Sequence, residues 1–409
     1  MGKITKTPAE QMAEIRLGAS EILSEDDLFE KLKDSYHKQK PLVVKFGADP
    51  SRPDLHLGHT VVINKLKQLQ DLGHEVVFII GDFTARIGDP TGKSKTRPEL
   101  TAAEVEEYAQ SYQQQIFKIL DPHKTRVVYN SAWLDKLTPV DIVKLLAKRT
   151  VQQLMARDDF STRYKENSPI FLHEFIYPIM QGYDSVELKS DIELGGEDQR
   201  FNLLLGREMQ KGVGQRSQSL ILMPLLEGTD GVKKMSKSLD NYIGVAEDPK
   251  DIFGKTMSIT DDHMHRFYEL LSFKGAEAIA RIKAQVQNGT LHPMLAKKDL
   301  AEELAARFWG EEQGKKARAE FEQFFSRKEI PDETPLFELD LPDDGRVSLV
   351  QLAVNMGFSE SKSDVRRAMK QNGLKLDGMP VTEDYQVMEL HREYVLKYGK
   401  IKVCKVLFR

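Results

Sequence analysis

The chain has 409 residues, 40% of them apolar and 30% charged, which excludes a disordered or membrane-embedded protein and is too long for one compact core. Its net charge of −4 excludes a uniformly basic nucleic-acid binder, yet Arg346 to Arg409 carries 12 Lys+Arg against 7 Asp+Glu, so positive charge collects at the C-terminus. The single cysteine, Cys404, rules out an intramolecular disulfide and a cysteine-based zinc cluster, and Met1 to Ser20 lacks the apolar core of a signal peptide. With no run of the roughly 18 to 20 apolar residues that a spanning helix needs, we expect no membrane association and a cytoplasmic protein.

In chain order, a helical pattern from Pro8 to Lys33 leads into Pro41 to Gly47, a short apolar run that reads as a buried strand. Thr60 to Leu72 has helical spacing and is stopped by Gly73, and Glu75 to Ile80 is a second buried strand. Strand, helix and strand in about forty residues make a βαβ unit, hence a parallel sheet covered by helices. Helical patterns at Ala103 to Leu120 and Pro139 to Arg157 flank a strand signal at Thr125 to Tyr129, and Ser219 to Pro224 is a further strand. Asp261 to Lys328 is wholly helical and reads as a separate domain. Pro331 to Asp344 is acidic, Pro-rich and aperiodic, and reads as a linker. Beyond it, Leu349 to Met356 and a helix capped by Ser361 precede a hairpin signal at Asp377-Gly378.

Three segments carry chemistry. Gly47 to His59 joins the first strand to its helix, where open parallel sheets bind ligands, and His56 and His59 lie three apart, both able to face an anion at the helix start. Gly58 leaves room for close approach of a ring or phosphate. An isolated HxxH pair reads more readily as a solvated turn than as a site. Ile87 to Ser94 resembles a phosphate loop, but Ile87 stands where glycine is required; Asp89 could hold an ammonium group and Lys93 and Arg97 could reach phosphate, or the segment is a plain turn. Lys234-Met235-Ser236-Lys237-Ser238 places two ammonium groups on a flexible loop, suited to charge growing on a leaving pyrophosphate, although lysine and serine are common in surface loops.

Together, His56-Leu57-Gly58-His59 and Lys234 to Ser238 resemble the HIGH and KMSKS signatures of class I aminoacyl-tRNA synthetases. Between them, Tyr177, Gln181 and Asp184 share one helix face and precede Gly195-Gly196-Glu197-Asp198-Gln199, a pattern similar to the tyrosyl-tRNA synthetases. That resemblance implies an α/β fold: a Rossmann-like catalytic domain over residues 1–245, a helical anticodon-binding domain over 246–330, a linker over 331–344, and over 345–409 a small α+β RNA-binding domain like one from a ribosomal small-subunit protein. It implies that His56, Gly58, His59, Lys234 to Ser238 and Asp198 bind ATP, with Lys93 and Arg97 joining His56, His59, Lys234 and Lys237 in catalysis. Asp49, Asp89, Tyr177, Gln181 and Gln199 would hold the amino acid, and Asp184 its phenol hydroxyl. Arg366, Arg367 and Lys370, on one basic helix, would contact RNA. It implies L-tyrosine, tRNA and ATP with Mg2+ on the triphosphate as substrates, no bound organic cofactor or protein-held metal, and a homodimer.

One departure stands out: Lys45 occupies a position where many tyrosyl enzymes carry tyrosine. The tryptophanyl enzymes, a nucleotidyltransferase that makes a cofactor, and a catalytically silent RNA-binding relative are the competing readings.

Overall fold

The structure, a computed structural model, describes residues 3–50, 55–91, 101–326, 334–342, 344–359, 361–371, 373–399 and 402–409. The chain forms two compact units, Met1–Arg318 and Ala319–Arg409.

The first unit is built on a six-stranded sheet. Strands β2 (Val43–Ala48), β3 (Glu75–Ile80), β4 (Thr125–Tyr129), β5 (Ile192–Gly196) and β6 (Ser219–Met223) run parallel, and β1 (Glu21–Leu23) pairs antiparallel with β6, Glu21 opposite Leu222. Their order is β1-β6-β5-β2-β3-β4. EVVFII in β3 and SLILM in β6 are almost entirely buried, as strands covered on both faces must be. The chain winds one way from β2 to β4 and the other way through β5 and β6, so the order reverses between β2 and β5. At such a reversal, loops on either side diverge and leave a crevice beyond the strand ends.

One expectation about this unit is corrected. Pro8 to Lys33 is not one helix: helices Pro8–Arg16 and Glu25–Lys38 flank β1. Gly18 interrupts the pattern at φ +71°, where a Cβ would press against the Glu269 carbonyl oxygen at 3.2 Å. Among the described residues, the helical stretch after residue 246 shares its apolar cluster with the sheet layer. Ile252, Phe267, Ile279 and Leu300 join the same apolar cluster as Val44, Leu66 and Phe78 of the sheet layer. Asn64, on the helix Leu57–Asp71, also donates to the carbonyls of Leu270 and Leu271 at 3.3 Å, tying the end of one helix to the side of another.

The second unit has its own core, including Leu349, Val365, Leu396 and Phe408. A sheet of order β10-β9-β12-β13-β7 is formed by β7 (Leu336–Leu339), β9 (Leu374–Leu376), β10 (Met379–Pro380), β12 (Glu393–Tyr398) and β13 (Lys402–Phe408), and β8 (Arg346–Ser348) pairs with β11 (Tyr385–Val387). The expected linker therefore contains a strand: β7 lies parallel to β13, Leu336 opposite Lys405, and sends Phe337 and Leu339 onto the core. Four residues are too few for their alternation to show against the surrounding prolines and acids. Ser361 caps the helix Lys362–Lys370 by accepting from the Asp364 amide at 3.1 Å. Asp377 and Gly378, both at positive φ, turn β9 into β10 as a two-residue hairpin.

Candidate active site

Beyond the ends of β2, β3 and β5 lies a cavity of about 540 Å³. It is lined by Asp49, His56, Gly58, His59, Asp89, Tyr177, Gln181, Asp184, Asp198, Gln199, Lys234, Met235, Ser236 and Lys237, residues the chain spreads over almost 190 positions. Lys93 and Arg97 lie outside the described residues. Ser238 is in the short 3₁₀ turn Lys237–Leu239.

At one end of the cavity, carboxylates and an ammonium are buried together. Asp184 is 3% exposed and accepts from the Trp133 indole at 2.8 Å and the Asn130 amide at 3.4 Å, one donor on each oxygen. Burial pushes its carboxyl pKa up to about 7, against the opposing pull of Lys45, Trp133 and Asn130 and with some support from Glu193. Lys45, 1% exposed, pairs with Glu193 at 2.9 Å and donates to Ser185 Oγ at 2.6 Å and to the Gln181 carbonyl at 3.3 Å. Lys45 and Glu193 are register partners on adjacent strands, so the backbone pairing of β2 with β5 sets the ion pair. Glu193 also accepts from Ser185 at 3.2 Å and from Gln218, which satisfies the remaining lone pairs of a carboxylate that would otherwise be costly to bury.

The helix Leu172–Leu188, which carries Tyr177, Gln181 and Asp184, is pinned by a close approach to the helix Arg200–Gly212. A Cβ at Gly182 would come within 3.3 Å of Gly206 backbone atoms. On its cavity side, Tyr177 donates its hydroxyl proton to Asp49 at 2.9 Å, and Thr84 donates to the other Asp49 oxygen at 2.7 Å. Asn202 donates to Gln181 Oε1 at 2.9 Å, and Gln199 donates to Asp89 at 2.9 Å. Tyr177, Gln181 and Asp89 thus each bring an oxygen atom to the cavity lining, and each is anchored by a hydrogen bond to a neighbouring side chain.

The other end is cationic. His56 is the N-cap of the helix Leu57–Asp71: its Nδ1 accepts from the Gly58 amide, and His59 Nδ1 accepts from the His56 amide, both at 3.2 Å. Burial, then the neighbouring His59 and Lys237 charges, hold the His56 pKa well below the ordinary value. The His59 pKa is lowered to about 4, first by desolvation and then by the Lys237 charge, against the opposing hydrogen bond with the His56 backbone. Each ring is thus neutral with Nδ1 occupied as acceptor, which leaves Nε2–H as a donor for an anion. Gly58 serves the cap rather than only an approaching ligand, since a Cβ there would meet the His56 ring at 3.0 Å. Across the cavity, the loop after β6 presents Lys234 and Lys237. Asp198 is driven up in pKa first by desolvation and then by Asp89, with Lys234 opposing.

The sequence profile of the family described as tRNA synthetases class I (W and Y) matches residues 37–326. The chain belongs to that family. The synthetase is 49% identical over 405 residues to the tyrosine–tRNA ligase of Bdellovibrio bacteriovorus, covering 98% of this chain and 100% of the relative. It is 51% identical over 401 residues to that of Geobacter metallireducens, covering 98% and 99%. The solved C-terminally truncated mitochondrial tyrosyl-tRNA synthetase of Aspergillus nidulans superposes with a TM-score of 0.65 at 20% identity, over 78% of this chain and 95% of its own. Tyrosyl-tRNA synthetase of Archaeoglobus fulgidus, complexed with L-tyrosine, gives 0.62 at 24% identity, over 76% and 99%. These two share the fold of the synthetase.

Several site residues escape sequence reasoning: Trp133 and Asn130, which hold Asp184, Asn202, which orients Gln181, and Glu193, which answers Lys45. Only the last leaves a readable signal. A lysine in VVKFGA and a glutamate in IELGG are each out of place in a buried parallel strand, and two such misfits of opposite charge imply a pair. In the second unit, Arg366, Arg367 and Lys370 are all exposed on the helix Lys362–Lys370, but Arg366 pairs with Asp384 at 3.6 Å and Arg367 with Asp364.

Proposed function

We infer that the synthetase is a tyrosine–tRNA ligase, joining L-tyrosine to ATP as tyrosyl-adenylate and then moving the tyrosyl group to the 3′-terminal ribose of its tRNA. The observation that carries the choice of amino acid is Asp184. It is a carboxylate at the buried end of the cavity, held by Trp133 and Asn130 and still able to accept a phenolic proton. An aromatic ring without that proton leaves a buried acceptor unanswered, so phenylalanine is disfavoured by desolvation rather than by size.

In this reading the tyrosine ammonium sits among Tyr177, Gln181 and Asp89, with Asp49 fixing Tyr177 and Gln199 fixing Asp89. ATP, entering as its Mg2+ complex, lies over Gly58 and Asp198 with its phosphates toward His56, His59, Lys234 and Lys237; Lys93 and Arg97 belong to the same phosphate-binding set. The tyrosine carboxylate oxygen attacks the α-phosphorus as the bond to pyrophosphate breaks. No protein nucleophile takes part. The neutral imidazoles and the two ammonium groups stabilise charge as it shifts onto the leaving group. Residues 246–330 contact the anticodon region, and Arg366, Arg367 and Lys370 contact the tRNA backbone.

The synthetase works as a cytoplasmic homodimer. Val140, Val143, Val151, Tyr164, Phe171 and Leu172, all within one segment, are at least half exposed, an unusual density of apolar surface that a second copy would cover. Val143→Glu should convert the dimer to monomer in analytical ultracentrifugation.

The defining experiment is ATP–pyrophosphate exchange with tyrosine, phenylalanine or tryptophan, followed by tRNA charging. Exchange driven by tyrosine alone and charging of tyrosine tRNA are expected. Exchange with tryptophan instead would reassign the amino acid, and no exchange with any of them would leave only the fold.

A further inference from the structure

The lysine loop is organised around a side chain that the chemistry above does not use. Asn241 lies after the 3₁₀ turn Lys237–Leu239 and is 3% exposed, although the loop it serves reaches solvent at Val232, 81% exposed. Its Oδ1 accepts from the Ser236 amide at 2.8 Å. Its Nδ2 is shared among the Lys233 carbonyl at 3.3 Å, the Lys234 carbonyl at 3.2 Å and Asp230 Oδ2 at 3.0 Å. One carboxamide therefore grips the backbone on both sides of Met235, between the two lysines. Asp230 completes the grip, its other oxygen accepting from the Val232 and Lys233 amides at 3.1 and 3.2 Å. The fit is tight on the opposite side as well: a Cβ on Gly228 would fall 2.2 Å from Asn241 Cγ.

We propose that Asn241, with Asp230, is a positioning latch for the ATP-binding lysine loop, fixing where Lys234 and Lys237 stand relative to the triphosphate. The proposal rests on the assignment of those lysines to ATP. A loop that carries charge to a leaving group has to be held in one arrangement for the chemistry and released for pyrophosphate to depart. A cluster of hydrogen bonds centred on one side chain makes and breaks as a unit, as such a step requires. Amide stands here rather than carboxylate for a chemical reason: Nδ2 faces two carbonyl oxygens and a carboxylate, so an acceptor there would be repelled on three sides.

The test compares wild-type synthetase with Asn241→Ala, Asn241→Asp and the double variant Asn241→Asp with Asp230→Asn. Asn241→Ala should lower kcat/KM for ATP in tyrosine-dependent exchange by about tenfold, while the dissociation constant for tyrosine stays within about twofold. Asn241→Asp should lose more than Asn241→Ala, and adding Asp230→Asn should restore part of the loss, because the new carboxamide at 230 donates across the same contact in reverse. An unchanged kcat/KM for ATP in Asn241→Ala, or an equal loss in tyrosine binding, overturns the latch. Hydrogen exchange separates this outcome from failure of the functional reading. The Ser236 amide should exchange faster in Asn241→Ala whether or not the enzyme responds to tyrosine, and an unaltered rate overturns the latch even if the catalytic assignment stands.

Discussion

The two ends of the cavity are built on opposite plans. At the Asp184 end every charged group is buried and answered: Lys45 by Glu193, Asp184 by Trp133 and Asn130, Glu193 also by Ser185 and Gln218. The framework there is adjacent parallel strands and two helices in close contact. At the other end the neutral imidazoles sit on a helix cap and the two lysines on a solvent-reaching loop, whose backbone is held by hydrogen bonds centred on the single side chain of Asn241. Discrimination between similar rings needs a pocket that does not adapt, because a buried group left without a partner penalises the wrong substrate only if nothing moves to satisfy it. Charge stabilisation over a departing pyrophosphate needs groups that can follow it and let go.

This contrast sets the order of expected effects. Lys45→Met, which strands Glu193 in a buried site, should reduce unfolding free energy by about 3–5 kcal/mol in denaturant titrations, and Glu193→Gln in the same chain should recover much of it. A stability unchanged by Lys45→Met would show that the buried end is softer than its contacts imply. Asp184→Ala leaves the Trp133 indole unpaired and the Asn130 amide with Thr84 as its remaining acceptor, and removes the acceptor proposed for the phenol. It should lower kcat/KM for tyrosine roughly a hundredfold in exchange assays, with a far smaller effect on phenylalanine. Lys237→Ala belongs to the adaptable end, so kcat for adenylate formation should fall ten- to a hundredfold, on the order of one lost charge contact in the transition state, with tyrosine affinity unmoved. A parallel loss of tyrosine affinity would erase the division between the ends.

Protonation offers a gentler probe. The Asp184 carboxyl is raised to about 7, so it is charged and a full acceptor above that pH and takes up a proton below it. Tyrosine affinity should therefore weaken by up to about tenfold between pH 8 and pH 6, and the dependence should vanish in Asp184→Asn. Because the folded pKa lies above that of a free carboxyl, the same group makes the protein less stable as pH rises from about 4 toward 7, the reverse of a salt-bridged aspartate. The smallest effect is expected in the second unit. Arg366→Ala, at an exposed side chain, should weaken tRNA binding a few-fold and lower the slope of log affinity against log salt by about 1, leaving exchange untouched.

Legibility in the sequence followed the same divide. β2, β3, β4 and β6 announce themselves as short strand signals, and the histidine and lysine motifs are local strings, so four strands of the sheet and the two motifs could be read directly, whereas β5, hidden in a Gly-rich segment, could not. The Asp184 end could be read only in part. Tyr177, Gln181 and Asp184 share a helix face, a periodic property, but Trp133 and Asn130 reach Asp184 from a segment about fifty residues earlier, which no spacing rule connects. Strands β1 and β7 were missed because three or four residues carry too little alternation to outweigh neighbouring helix or linker composition. The latch of Asn241 was invisible for another reason: an asparagine after a lysine-rich turn has the composition of any surface loop, and only its burial distinguishes it.

The antiparallel pairing of β1 with β6 has a consequence for how the molecule is made. It joins Glu21 to Leu222, so β1 is completed by a strand synthesised two hundred residues later. Until they meet, β6, apolar from Leu220 to Met223, presents an open edge, the kind that recruits strands from other chains. Long sequence separation also makes this among the slower contacts to form. Lesions in the first twenty-odd residues should therefore surface as aggregation during expression, while the few molecules that escape it carry an undamaged cavity.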